Sequence, residues 1–215
     1  MPTVADFTSN PDSFLKNNMF LPLFSPNDPG YRVPSARSFW LNADGMECKR
    51  KGTGIISKHK ADKDVTVWSI RPHARGGGSE LKAYWLPYEQ NHLHVAQLRD
   101  EAQIMFTPLM DGCSFGFTEF RNGVCTVSHA NLQTEEGRTD EGEMRTMLRG
   151  DTHSMHKSDY MTMNGQFQDN LRVCMVGVRA KGKWTIYFQQ FIDNLGSYYL
   201  LKVGKLGKTG PVTIG

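Results

Sequence analysis

The sequence predicts an α+β fold rich in β-structure: a mixed β-sandwich with peripheral helices and long loops. Two observations predict this class. Short segments rich in β-branched and aromatic residues recur along the chain and are separated by Gly, Asn or Asp, which is the pattern of strands and turns. These segments, about eight of them, outnumber the roughly two or three helical patterns, and this balance favours a sandwich or mixed sheet over a wound βαβ fold.

The predicted strands are short and lie in the last two thirds of the chain. They span residues 65–70, 81–87, 103–109, 114–120, 124–130, 171–180, 183–192 and 197–203. Residues 121–123, Arg-Asn-Gly, predict a tight hairpin turn because Asn and Gly tolerate a positive φ. Residues 181–183, Lys-Gly-Lys, predict another hairpin. Between these groups, the helical spacing of Met144, Met147 and Leu148 predicts a short surface helix.

The regions outside the strands are expected to be mostly irregular. Residues 1–38 are rich in Pro, Asn and Ser and predict an irregular N-terminal arm that packs over the domain. Within it, residues 9–20 contain a helix N-cap followed by apolar residues on one face, so one helix is expected there. Residues 152–170 predict mostly loop, and residues 204–215 predict a loose tail.

Length and composition predict one globular domain. The 215 residues are 39% hydrophobic and 22% charged, enough to bury a core. A net charge of +3 is too weak to indicate binding to nucleic acid or to a membrane. No apolar stretch approaches the ~18 residues of a membrane span, and the N-terminus lacks a secretory signal pattern. We therefore expect a chain made in the cytoplasm. The cations between residues 49 and 63 predict a solvated basic face, with a contact surface for an acidic partner as the alternative.

Cys113 is the first candidate for chemistry. It follows Gly112 at the end of an apolar strand, where a turn can present a thiol and leave room for a substrate backbone. A catalytic thiol needs a base nearby. His129 lies on the next strand but one, 16 residues later in the sequence.

Hairpin geometry limits how these two side chains can meet. If residues 122–123 form a two-residue loop, His129 faces Gly116, and Cys113 lies three residues further along, ~10 Å away at ~3.3 Å per residue. Contact then needs a bulge or a bend. From the pattern alone, a catalytic Cys–His pair and a core cysteine with a structural histidine both remain open.

The remaining histidines predict no second site. His92 and His94 share one face of an extended segment, but no third metal ligand follows at a recognisable spacing. His153 and His156 would face alike only on a helix, which the neighbouring Gly and Ser disfavour. No phosphate-binding loop, GxSxG elbow or HExxH motif is present. Neither a metal nor a cofactor is therefore predicted.

One part of the chain resembles a known family. Residues 85–90, WLPYEQ, are similar to a Trp-Leu-Pro run ahead of the active-site strand in the deamidases of the Burkholderia lethal factor family, which is related to the catalytic domain of cytotoxic necrotizing factor. Residues 106–113, FTPLMDGC, are similar to a strand that ends in that family's Leu-Ser-Gly-Cys motif. His129 matches a histidine on a later strand. The likeness covers residues 84–130, about a fifth of the chain, with a weaker likeness at 184–191.

The resemblance implies a role for each matching residue. Cys113 would be the nucleophile, His129 the base, and Thr107 the residue that orients the histidine. The residues flanking the nucleophile would lie near the substrate and the oxyanion: Asp111, Gly112 and Ser114. The sequence departs from the motif, because Met110 and Asp111 stand where the family has Leu and Ser. A carboxylate beside the thiol would raise the thiol pKa, unless it faces solvent.

The function implied by the resemblance is that of a bacterial toxin or effector. Such a hydrolase deamidates a specific glutamine of a eukaryotic host protein, here a translation-initiation helicase in preference to a Rho-type GTPase. It would be made in the bacterial cytoplasm, would act in the host cytosol after delivery, and would work as a monomer without nucleic acid or membrane. A Cys–His protease, a transglutaminase and a non-enzymatic β-sandwich binding module remain the alternatives.

Overall fold

The computed structural model describes residues 2–43, 45–50, 62–73, 78–119, 124–163, 166–207 and 210–214. Strands dominate these ranges and the helices are few and short, so the predicted β-rich α+β class is confirmed. The helices are α1 (Val4–Ser9), α2 (Pro11–Asn17), α3 (Glu141–Met147) and α4 (Lys157–Tyr160), with a 3₁₀ turn at Leu148–Gly150. In the described part of the chain, none of them has the length and hydropathy that a membrane crossing requires.

The strands of the described residues vary in length from two residues to twelve. They are β1 (Asn18–Pro22), β2 (Ser35–Ala43), β3 (Cys48–Arg50), β4 (Lys63–Asp64), β5 (Thr66–Arg71), β6 (Ser79–Trp85), β7 (His92–Leu98), β8 (Ile104–Phe106), β9 (Ser114–Glu119), β10 (Cys125–Asn131), β11 (His153–Met155), β12 (Thr162–Met163), β13 (Gln166–Phe167), β14 (Leu171–Ala180), β15 (Lys183–Asn194), β16 (Ser197–Gly207) and β17 (Gly210–Thr213).

Most strands belong to one large mixed sheet. Its order is β1-β5-β2-β6-β8-β14-β15-β16-β3-β4, and β17 also pairs with β16. The pairs β1–β5, β6–β8 and β16–β3 are parallel, and the others are antiparallel. Residues from both ends of this sheet, such as Phe20 of β1 and Val203 of β16, share one buried cluster. The sheet therefore curls around that cluster, which we term the large-sheet core.

A smaller antiparallel sheet packs against one face of the large sheet. Its order is β11-β9-β10-β7. Phe115, Val127 and Met155 of this sheet share a second buried cluster with Met175 and Phe188 of the large sheet. We term this cluster the intersheet core. Two sheets packed face to face over an apolar layer form the sandwich that the sequence predicts.

Residues 1–38, expected to form an irregular arm, contain both α1 and α2, all of β1 and the start of β2. The helix expected within residues 9–20 is confirmed as α2, whose N-cap Asn10 accepts a hydrogen bond from the Ser13 N–H at 3.1 Å. The fully buried Gln189 of β15 accepts from the N–H of Phe20 at 3.0 Å. Tertiary contacts thus order a segment whose Pro-rich composition predicts irregular backbone.

Other segments also differ from the expectation. β7 was not predicted as a strand, residues 152–170 contain β11 and α4, and the tail continues as β16 and β17. The hairpin at 181–183 is confirmed, with φ of 52° at Lys181 and 78° at Gly182. The predicted turn at 121–123 and most of the basic stretch, residues 51–61, lie outside the described residues.

Candidate functional site

Cys113 lies where the chain passes from the large sheet to the small one. β8 runs beside β14, and Met110 then returns to that strand. The Met110 N–H donates to the Val173 carbonyl at 2.8 Å, and the Met110 carbonyl accepts from the Val173 N–H at 3.1 Å. The chain bends at Asp111 and Gly112 and enters β9 directly after Cys113. The turn before the cysteine is therefore a crossover between sheets.

The register of β9 and β10 sets the position of His129 relative to Cys113. His129 pairs with Phe115, and Cys125 pairs with Glu119. This register differs by one residue from the one that a two-residue loop would give, so the expected three-residue offset is wrong. Cys113 directly precedes β9, two residues before the Phe115 that pairs with His129, and both Cys113 and Phe115 belong to the intersheet core.

The Cys113 thiol is buried in the intersheet core, with 1% of the residue exposed. Burial raises the pKa of this thiol well above its usual range, and the Asp111 carboxylate raises it further, while the Gly112 N–H acts in the opposite direction. The Asp111 side chain is exposed and lies 4.0 Å from the Arg172 Nε. Asp111 thus faces solvent and also disfavours the thiolate, so Cys113 is a neutral thiol at neutral pH.

The His129 imidazole is buried to the same degree, with 1% exposed. The pKa of His129 is lowered to about 3, mainly by burial and in addition by the charge of His94 on the neighbouring strand, while the Pro87 carbonyl acts in the opposite direction. Neither ring nitrogen has a hydrogen bond of normal geometry within the described residues. His129 is therefore an uncharged imidazole. Its unprotonated nitrogen can accept a proton, but the lowered pKa makes it a weak base while it stays buried.

The Thr107 side chain does not orient His129 in this structure. Its hydroxyl is fully buried and donates to the Pro108 carbonyl at 2.9 Å. The polar main-chain group that acts on the His129 ring is instead the Pro87 carbonyl, in the WLPYEQ stretch. The role that the resemblance implies for Thr107 therefore has no counterpart in the hydrogen bonds of the described residues.

The WLPYEQ stretch, residues 85–90, lies beside Cys113 and His129, and we term it the cover. The ring of Tyr88 lies 6.0 Å from that of His129, centroid to centroid. Burial, and then the proximity of Cys113, raises the pKa of the Tyr88 hydroxyl. The next residue, Glu89, accepts a hydrogen bond from the Arg32 guanidinium at 2.8 Å, which ties the cover to the N-terminal segment. Tyr88 and Glu89 are partly exposed and Gln90 is exposed, whereas Cys113 and His129 are buried.

Two residues that contact the Cys113–Ser114 segment were missed by the sequence reasoning. The Tyr160 hydroxyl, fully buried, donates to the Cys113 carbonyl at 2.8 Å. The His156 Nδ1 lies 2.9 Å from the Ser114 Oγ, and its Nε2 lies 3.0 Å from the Ser154 Oγ. Both residues belong to a polar segment that predicts loop. The available signal was Asp159, three residues after His156, which is the spacing of a capping box at a helix start.

The other histidine pair lies beside the site. The rings of His92 and His94 stack with centroids 6.1 Å apart, and the His94 Nε2 lies 3.7 Å from a Glu89 carboxylate oxygen. Burial lowers the pKa of His94, and Glu89 opposes this. Among the described residues, no group of three or more His, Cys, Asp or Glu side chains is arranged to hold a metal ion.

Cys113 and His129 are thus a buried thiol and a buried imidazole, and neither carries a charge. A neutral thiol and a neutral imidazole can exchange a proton when a substrate is bound, but they do not form a thiolate–imidazolium pair beforehand. Comparison with models of known protein families and with curated protein sequences found no match to this chain.

Proposed function

We propose that this protein is a cysteine-dependent hydrolase that deamidates a glutamine side chain of another protein. The observation that carries the proposal is that Cys113 and His129 are both buried beside one side chain, Tyr88: its ring lies 6.0 Å from the His129 ring, and the proximity of Cys113 raises its pKa. The similarity of residues 84–130 to deamidases of the Burkholderia lethal factor family supports the reaction class.

The reaction follows from the chemistry of the two side chains. His129 accepts the thiol proton as the Cys113 sulfur attacks the carboxamide carbon, which forms a tetrahedral intermediate. The Gly112 N–H, which acts on the Cys113 sulfur, is a donor for the developing oxyanion. The imidazolium returns its proton to the leaving nitrogen and ammonia departs. Water, deprotonated by His129, then hydrolyses the thioester, which leaves glutamate and restores the thiol.

Substrate entry requires the cover to move. Cys113 and His129 are each 1% exposed, so a glutamine side chain cannot reach them in the closed form. Tyr88 is the partly exposed group beside both residues. We propose that a protein substrate displaces the Tyr88 side chain, and that this displacement couples recognition of the correct partner to activation of the thiol.

The substrate proposal rests on the resemblance. Members of that family act as bacterial toxins or effectors on host proteins, and a translation-initiation helicase is the favoured target over a Rho-type GTPase. The chain would then inhibit host translation after delivery into the host cytosol.

The decisive experiment incubates wild type, Cys113→Ser and Cys174→Ser with a eukaryotic lysate and maps Gln-to-Glu conversions by mass spectrometry. Deamidation adds about one mass unit at one glutamine, whereas proteolysis cuts the chain and transglutamination adds an amine. Cys174 is an equally buried thiol on β14 and serves as the matched control. We expect conversions with wild type and Cys174→Ser but not with Cys113→Ser. If no protein in the lysate carries a product that depends on Cys113, the proposed enzymatic activity is refuted.

The second candidate is a binding module without catalysis, and the burial of both Cys113 and His129 favours it. The two candidates differ in how the thiol responds to a partner. A deamidase must expose Cys113 to its substrate, so the rate of alkylation of Cys113 should rise when lysate proteins are added. A binding module would keep Cys113 as slow to react as the buried Cys125.

A further inference from the structure

Helix α4 and its N-cap make hydrogen bonds to two successive residues, Cys113 and Ser114. At its start, the His156 Nδ1 lies 2.9 Å from the Ser114 Oγ. At its end, the Tyr160 hydroxyl donates to the Cys113 carbonyl at 2.8 Å. His156 is 4% exposed, and Tyr160 and Ser114 are fully buried, so water does not compete for these hydrogen bonds.

We propose that Tyr160 is a positioning residue for the Cys113 nucleophile, with His156 as its counterpart at the other end of the helix. The inference rests on the proposed function in assigning the nucleophile role to Cys113. Neither residue touches the reacting atoms. Each holds the main chain that carries them.

The main chain at Cys113 depends on a contact of this kind because it lies outside the strand ladders. The last pair between the large sheet and this segment is Met110 with Val173, and the first pair in the small sheet is Ser114 with Ala130. Between these pairs the Cys113 carbonyl has the Tyr160 hydroxyl as its partner. A buried carbonyl without a partner is costly, so this bond stabilises one orientation of the Cys113 peptide group.

Tyr160 is itself held from the opposite side. The Gln190 Nε2 on β15 donates to the Tyr160 carbonyl at 2.5 Å, and Gln190 is 2% exposed. At the start of the helix, the His156 N–H donates to the Asp159 carboxylate at 2.7 Å. The helix is therefore fixed to the large sheet at one end and capped at the other. The hydrogen bonds of α4 thus restrict the position of the Cys113 main chain, and catalytic rates are sensitive to a misplacement of about 1 Å.

The test compares Tyr160→Phe with Tyr187→Phe. Tyr187 is also buried and its hydroxyl donates to the Asp12 carboxylate at 3.0 Å, so its variant loses a tyrosine hydroxyl hydrogen bond away from Cys113. Iodoacetamide labelling of all four thiols is followed by mass spectrometry, and kcat and KM are measured on a glutamine substrate once one is found. In Tyr160→Phe we expect Cys113 to label about tenfold faster, the factor for a lost buried hydrogen bond of ~1.4 kcal/mol. Labelling of Cys48, Cys125 and Cys174 should stay unchanged.

The kinetic expectation separates positioning from general stability. In Tyr160→Phe, kcat should fall about tenfold or more with KM little changed, because only the placement of the thiol is altered. Tyr187→Phe should leave both constants and Cys113 labelling at the wild-type values. Equal acceleration at all four thiols in Tyr160→Phe would show a purely structural role and overturn the inference, as would no change at Cys113. The labelling experiment tests the contact between Tyr160 and Cys113 even if the wild type deamidates no protein. Failure of the proposed function would instead appear in the lysate experiment.

Discussion

The Asp111 carboxylate is exposed, yet it acts on a buried thiol two residues away. It is the second cause, after burial, that raises the pKa of Cys113. Its side chain is 61% exposed and pairs with Arg172 at 4.0 Å, so water and the guanidinium screen its charge. The Asp111 charge therefore makes only a small contribution to the raised pKa of Cys113, and burial is the main reason that the thiol is neutral.

We predict that Asp111→Asn raises the rate of Cys113 alkylation about threefold at pH 8, since a screened charge contributes less than ~1 kcal/mol. Removal of the charge favours the thiolate, so the labelling profile should move to lower pH. The measurement is the pH dependence of iodoacetamide labelling at Cys113. Asp100→Asn, which removes another exposed carboxylate, is the matched control and should have no effect. A slower rate in Asp111→Asn would contradict the assigned direction.

His129 makes the stability of the protein depend on pH. Its pKa is lowered from 6.5 to about 3 in the folded chain, mainly by burial. Below pH 6.5 the unfolded chain binds a proton at this histidine that the folded chain does not bind. The contribution of the uncharged His129 to the free energy of unfolding is therefore complete above pH 6.5. The free energy of unfolding falls as the pH decreases from 6.5 towards 3.

We predict that His129→Gln flattens this dependence between pH 5 and pH 6 by about 1 kcal/mol per pH unit, the contribution of about one proton. Urea denaturation at several pH values measures it. His73→Gln, at an exposed histidine, should keep the wild-type slope. An unchanged slope in His129→Gln would mean that the imidazole titrates normally and is accessible to water.

At the scale of elements, β9 separates two different environments. One face carries Phe115 and Phe117 into the intersheet core. On the other face, the Thr118 hydroxyl donates to the Asp151 carboxylate at 2.9 Å. Gly116 lies on the same face as Thr118. A Cβ at Gly116 would overlap the Asp151 carboxylate and approach Leu148 to 3.1 Å. Close approach of the 3₁₀ turn to β9 thus requires glycine at this position.

We predict that Gly116→Ala destabilises the protein by about 2 kcal/mol, the usual cost of overpacking a site whose neighbours are held in place. Gly150→Ala is the control, because a Cβ there meets no atom within 4 Å. Urea denaturation gives both values. Combining Gly116→Ala with Asp151→Ala should cost less than the sum of the single changes, since the overlap is removed. Simple additivity would show that the carboxylate is not the obstacle.

The sequence predicts a strand well where the burial of its side chains produces a clear pattern of apolar residues. β14 was predicted at 171–180 and is observed at Leu171–Ala180, because a strand buried on both faces is a continuous apolar run. β7 was missed because its exposed face carries Leu93 and Val95, which obscures the alternation of polar and apolar residues. The N-terminal helices and β1 are ordered by tertiary contacts such as those of Gln189, which no local pattern shows.

The sequence names candidate residues for a site but does not give their geometry. The motif named Cys113 and His129 as candidates, and the observed register of β9 and β10 differs by one residue from the one expected for a two-residue loop. A one-residue change of register moves a side chain to the opposite face, so the face of His129 could not be read from the residue types of the turn. Tyr160 was missed because its contact with Cys113 joins positions 47 residues apart in the sequence.

At the scale of the whole molecule, β14 connects the two cores. Val173 and Met175 face the intersheet core, while Cys174 and Val176 face the large-sheet core. The strand pairs with β8 on one side and along its full length with β15 on the other. Loss of either core would expose one face of this strand to water. The two sheets should therefore not unfold independently, although they form separate hydrogen-bonded ladders.

We predict that the small and large sheets unfold in one transition. Cys125 of β10 and Cys174 of β14 are both fully buried, so each reports the opening of its own sheet. Brief alkylation at increasing urea concentration, with peptide mapping, should give the same midpoint for both thiols. Met175→Ala, which creates a cavity in the intersheet core, should lower both midpoints together because β14 transmits the loss. If Cys125 reacts at a clearly lower urea concentration than Cys174, the small sheet opens separately. The small sheet, which carries His129 on β10, would then be a unit that can detach from the rest of the fold.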